Sequence, residues 1–168
     1  MRFPRFALLL LAVLLASPPP ASAQGATPRF GVGFDLVGAL PGQDLVPDGL
    51  GLGLRGRVAL PVNADLSVAG SLGISANVFE GRAETDYVLN PQASLIVTLP
   101  GRSSARYVLG GFGGFLPFDG AGGPSLHAGA GWAVPLNETS IYFELNPSLV
   151  VGAEETGVVV AARTGVIF

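Results

Sequence analysis

Four residues of this chain carry charge where it must serve a purpose: Glu144, Arg55, Arg57 and Arg163. Each lies inside an apolar stretch rather than in a polar connection. A carboxylate among guanidiniums can balance charge in a filled interior, or it can line a polar gate. An unpaired buried charge is expensive, which favours the first use. A second group centres on His127, the single histidine, with Ser125 just before it. Nucleophilic catalysis needs a hydroxyl and its base within hydrogen-bond reach in a defined geometry. This spacing sets up no such pair, so no catalytic residue is assigned. A third group is acidic: Asp44, Asp48, Glu80, Glu84, Asp86, Asp119, Glu154 and Glu155, with Arg82 among them. Ca²⁺ and Mg²⁺ prefer such oxygens, but no stretch has the EF-hand spacing. These residues therefore read as a solvated acidic rim, with no metal and no cofactor assigned. There is no cysteine, which excludes disulfides and thiolate metal sites.

The elements that must position these residues show in the periodicity. Eight segments of alternating apolarity are expected to be strands, at roughly 28–40, 50–62, 66–79, 87–99, 105–116, 125–136, 141–151 and 158–168. The first puts Phe30, Val32, Phe34, Leu36 and Leu40 on one face. The second does so with Leu50, Leu52, Leu54, Val58, Leu60 and Val62, and the sixth with Leu126, Ala128, Ala130, Trp132, Val134 and Leu136. The fifth is loosened by glycine and the eighth is apolar on both faces. Connections at 63–65, 100–104 and 137–140 are short, whereas those at 41–49, 80–86, 117–124 and 152–157 are longer or more acidic. Pro91 and Pro147 fall inside strands, where a missing N–H breaks the ladder, and are expected to mark bulges.

Seven charged residues fall within the segments: Arg29, Asp35, Arg55, Arg57, Arg106, Glu144 and Arg163. All are expected on the face opposite the apolar rows. A soluble barrel requires the reverse, with apolar rows inside and charge outside. If the apolar rows face hydrocarbon, each misplaced Arg at the midplane would cost about 2–4 kcal/mol. Seven such errors would exceed the usual stability of a domain, about 5–15 kcal/mol. The composition agrees: charged residues make up 12%, there is no lysine, and mean hydropathy is +0.53. A pI near 5.0 without basic runs argues against nucleic-acid binding.

The N-terminus reads as an export signal over residues 1–23. Arg2 and Arg5 precede an apolar run from Phe6 to Ala16, and Ala21-Ser22-Ala23 fits the small-residue cleavage rule. The run is too short for a spanning helix, which needs about 20 apolar residues. Residues 24–168 are expected to form one domain. In hydrocarbon a sheet must close on itself, because an open edge finds no hydrogen-bond partners.

With the signal, the eight alternating segments and an aromatic Phe168 after Val166 and Thr164, the chain resembles the small bacterial outer-membrane β-barrels, such as the OmpA transmembrane domain and OmpX. The resemblance covers essentially residues 24–168 and rests on architecture. It implies an all-β fold, an eight-stranded antiparallel up-and-down transmembrane barrel in the outer membrane. It implies outer-membrane lipid and lipopolysaccharide as surroundings. It also implies that Phe168 is an assembly signal for the outer-membrane assembly machinery. Tyr87, Tyr107, Phe115, Trp132 and Phe143 are then expected in interfacial girdles. Lipid A deacylases are also small outer-membrane barrels, but their His-x-Ser pair is absent, since His127 is followed by Ala128-Gly129. The resemblance thus implies a structural or surface-interaction role. A narrow passive pore and a secreted lipocalin-like ligand-binding barrel are the alternatives.

Overall fold

Alternation with period two makes strands, and here it makes little else. The computed structural model describes residues 27–40, 49–79, 85–99, 104–153 and 155–168. Eight strands follow one another: β1 (Arg29–Ala39), β2 (Gly49–Pro61), β3 (Leu66–Phe79), β4 (Thr85–Leu99), β5 (Ala105–Pro117), β6 (Gly123–Leu136), β7 (Thr139–Val151) and β8 (Thr156–Ile167). Each pairs antiparallel with its sequence neighbours, and β1 closes on β8 to complete the barrel. The expected segments match these strands to within two residues at each end. The export signal at 1–23 lies outside the described residues, as do Asp44, Asp48, Glu80, Arg82, Glu84 and Glu154.

Turn chemistry fixes the register. In the β2–β3 turn, Asn63 Oδ1 accepts from the N–H groups of Asp65 and Leu66 at 2.9 and 2.8 Å. This is a side-chain turn that substitutes for backbone pairing. Asn137 takes a φ of 54° in the β6–β7 hairpin, a conformation that asparagine tolerates better than most residues. These turns share one end of the barrel with Arg29 and Phe168. The C-terminal ends of β1, β3, β5 and β7 share the other.

The outside is apolar. Every residue of the three outward rows given above is exposed, including Phe34, Leu52 and Leu126, and so are Leu72 on β3 and Leu145 on β7. Two aromatic pairs mark its ends. Trp132 stacks on Phe143 at 5.4 Å toward the turn end, and Tyr87 meets Phe118 at 6.4 Å toward the loop end.

Three expectations are corrected. Arg106 faces outward, opposite Leu99 and Trp132 on its neighbouring strands. Tyr107 and Phe115 face inward and are buried, so they belong to no girdle. One cause explains both: bulky Tyr107, Leu109 and Phe115 take the inner face of β5, and that phase turns Arg106 out. Neither proline makes a bulge. The β4–β5 register is the same on both sides of Pro91, and the β6–β7 register on both sides of Pro147. The ladder merely skips there. At Pro91 the side chain of Asn90 supplies the missing donor, giving its Nδ2 hydrogen to the Gly114 carbonyl at 2.6 Å.

Candidate functional site: the polar lumen

The inner face of a barrel this narrow must be filled by side chains. Here glycines on one strand make room for long residues on the next. An added Cβ at Gly73 would strike the Arg55 guanidinium, and one at Gly131 would strike the Tyr107 ring. Gly33 and Gly165 do the same for Tyr142. Small-long alternation across strands therefore positions the charged groups.

Glu144 sits at the centre, 3% exposed. Arg57 Nη2 donates to its two carboxylate oxygens at 3.0 and 2.8 Å. Arg163 Nη1 donates to Oε1 at 2.8 Å, and Arg163 lies directly opposite Glu144 on the β7–β8 ladder. Tyr107 Oη adds a third donor at 3.1 Å and Asn146 Nδ2 a fourth at 3.3 Å. Arg55 goes elsewhere: its Nε donates to Asp35 Oδ2 at 2.8 Å. Its terminal nitrogens reach Ser71, Gln92 and Asn90. Arg163 bridges the two clusters, because its Nε lies 3.6 Å from Asp35 Oδ1. The Arg57 guanidinium also lies 5.4 Å from the centre of the Tyr142 ring, within cation–π range.

Sequence reasoning named Arg55, Arg57, Glu144 and Arg163, and all four face the lumen. It placed Asp35 inside without giving it a partner, and it gave Tyr107 the wrong face. It missed Ser94 entirely. Ser94 Oγ lies 2.9 Å from His127 Nε2. Gly111 stands opposite both residues on β5, which lets β4 and β6 touch across it. Ser125, two residues before His127, is buried, and its Oγ has no hydrogen-bond partner among the described residues. His127 Nδ1 likewise has none, so no carboxylate orients the ring as a catalytic base requires. A glycine opposite a serine and a histidine on its two flanking strands was the one signal that could have found this pair.

An outside of apolar rows and an inside of paired ions define an inverted barrel, eight strands closed around a charged core. Solved structures similar to it include small outer-membrane barrels. Neisserial surface protein A superposes with a TM-score of 0.71 at 13% identity, over 86% of this chain and 98% of that one. The N-terminal β-barrel domain of Pseudomonas aeruginosa OprF gives 0.55 at 14% identity, over 86% and 100%. Ail, the attachment invasion locus protein of Yersinia pestis, gives 0.52 at 16% identity, over 86% and 100%. No family model and no curated protein sequence matches the chain.

Proposed function

We propose that the protein is an outer-membrane barrel with a structural or surface-interaction role, exported by a cleaved signal over residues 1–23. The supporting observation is the inversion: apolar rows outside, ion pairs inside. That pattern is unfavourable in water, because it exposes large apolar side chains and buries five charged ones. The same observation counts against a secreted lipocalin-like barrel. A lumen filled by Arg55, Arg57, Tyr107, Tyr142 and Glu144 counts against an open pore and against an enzymatic site reached by substrate. Outer-membrane lipid and lipopolysaccharide are then the direct surroundings. Phe168, 58% exposed, presents its ring outward to the assembly machinery.

The test is solvent. Residues 24–168 should fold only in detergent or lipid, giving β-rich circular dichroism and a gel mobility that changes on boiling. A monodisperse folded protein in plain buffer would exclude the membrane reading.

A further inference from the structure

The lumen changes chemistry along its axis. Toward the loop end, Val88, Phe115, Val150 and Val159 form a buried apolar cluster, with Val37 and Ala39 packed against it. These residues come from β1, β4, β5, β7 and β8, and two buried polar residues complete the ring: Asn77 on β3, level with Val37 across Gly51, and Ser125 on β6, opposite Val150. Val88 is 1% exposed and Val150 0%. Adjoining them is a cavity of about 20 Å³ whose polar lining includes Asp35, Arg55, Ser125, Ser148 and Arg163. That is room for one water-sized or small-ion-sized occupant. Asp35 Oδ1, Ser125 Oγ and Arg163 Nε in this lining have no hydrogen-bond partner among the described residues. Among the described residues the buried charges around and beneath it are unequal: three guanidiniums, of Arg55, Arg57 and Arg163, against two carboxylates, of Asp35 and Glu144.

We propose that the apolar collar is the gate of this lumen, and that the space it guards is suited to small anions. The ion pairs have a different task. They tie neighbouring strands together, and their polar surfaces would tolerate hydration. Apart from Asn77 and Ser125 the collar offers water and ions nothing to bind, and an apolar constriction excludes them by dewetting. Once past it, an anion meets excess positive charge and the Ser125 hydroxyl, with Arg163 Nε already facing Asp35 Oδ1 at 3.6 Å. Asp35 Oδ1 opposes it there, but the net balance favours negative charge. The assignment goes beyond an anchoring role, because it gives the closed barrel a latent path and names its seal.

The chain has no cysteine, so Ser148→Cys places a single thiol in the guarded cavity with little change of shape. Protein folded in detergent leaves both ends open to reagent, so the test does not depend on orientation in a membrane. A thiosulfonate reagent carrying a sulfonate should modify this thiol slowly. Adding Phe115→Ala should speed modification by about tenfold, the change that ~1.4 kcal/mol off the entry barrier gives. Relative to its rate with a small free thiol, a reagent of similar size carrying an ammonium group should react more slowly than the sulfonate. Glu144→Gln should accelerate labelling less than Phe115→Ala does. Gel mobility reports which variants are folded. If Phe115→Ala does not fold, Val159→Ala removes less of the collar and should give a smaller increase. Rapid labelling with the collar intact would overturn the proposal. So would no increase in a folded collar variant, a larger increase from Glu144→Gln, or faster reaction of the ammonium reagent on that same relative scale.

Discussion

At the scale of single residues, Glu144 is the group on which most of the lumen converges. It accepts from two guanidiniums, a phenol and an amide. Removing it would leave Arg57 and Arg163 short of counter-charge in a place with little water. Breaking a buried pair from one side costs about 3–5 kcal/mol. Glu144→Ala should therefore lower the unfolding free energy of refolded protein by that amount, and shift its denaturant midpoint down. Asp119→Ala, at an exposed position between β5 and β6, should change that free energy by no more than about 0.5 kcal/mol. Urea titration of the two variants beside the parent decides the point, and equal midpoints would refute the assignment. Arg55→Ala tests a separate cluster, since its carboxylate is Asp35 rather than Glu144.

At the scale of elements, the strands were legible because hydrocarbon and lumen demand opposite chemistry of alternate residues. Seven of the eight strands carry rows whose phase can be read directly or whose charge fixes it. The exception, β5, has glycine at Gly110, Gly111, Gly113 and Gly114 and apolar groups on both faces, so periodicity gave no contrast. Volume decided instead, and Tyr107 and Phe115 went inside. The partners of the lumen residues were less legible. Whether Arg55 meets Asp35 or Glu144, and whether His127 meets Ser125 or Ser94, depends on the stagger between strands that closure imposes. A linear sequence does not contain that stagger. Arg106 illustrates the energetics of the outer face. It sits one residue inside the β5 terminus, where a charge costs about 0–1 kcal/mol, against about 2–4 at the midplane. Phe112 is outward and near the middle of the same strand. Phe112→Arg should thus destabilise the barrel in lipid by about 2–4 kcal/mol, and Phe112→Leu much less. Equal unfolding midpoints for these two variants would mean that β5 does not face hydrocarbon.

At the scale of the whole molecule, closure depends on one seam. Nine paired positions join β1 to β8, against thirteen between β2 and β3. Besides the Leu40 N–H, which donates to the Val158 carbonyl at 3.1 Å at the loop end, two supplements hold the shorter ladder. Phe30 and Phe168 exchange backbone hydrogen bonds at 2.9 and 2.8 Å, extending the seam past the end of β8. Arg163 reaches Asp35 on β1 and Glu144 on β7, so ionic contacts cross the seam inside. The Phe168 side chain takes no part in either supplement, because it points outward. Its backbone role and its proposed recognition role can therefore be separated. Phe168→Asp keeps both backbone bonds and should leave the unfolding free energy in detergent within about 1 kcal/mol of the parent, the cost of charge near an interface. If the exposed ring is what the assembly machinery reads, the same substitution should sharply lower the amount of folded protein reaching the outer membrane of expressing cells. Val166→Asp, on the same outward row but without a terminal aromatic ring, should lower it less. Equal membrane yields for Phe168→Asp and the parent would remove the recognition role and leave Phe168 as the backbone clasp of the seam.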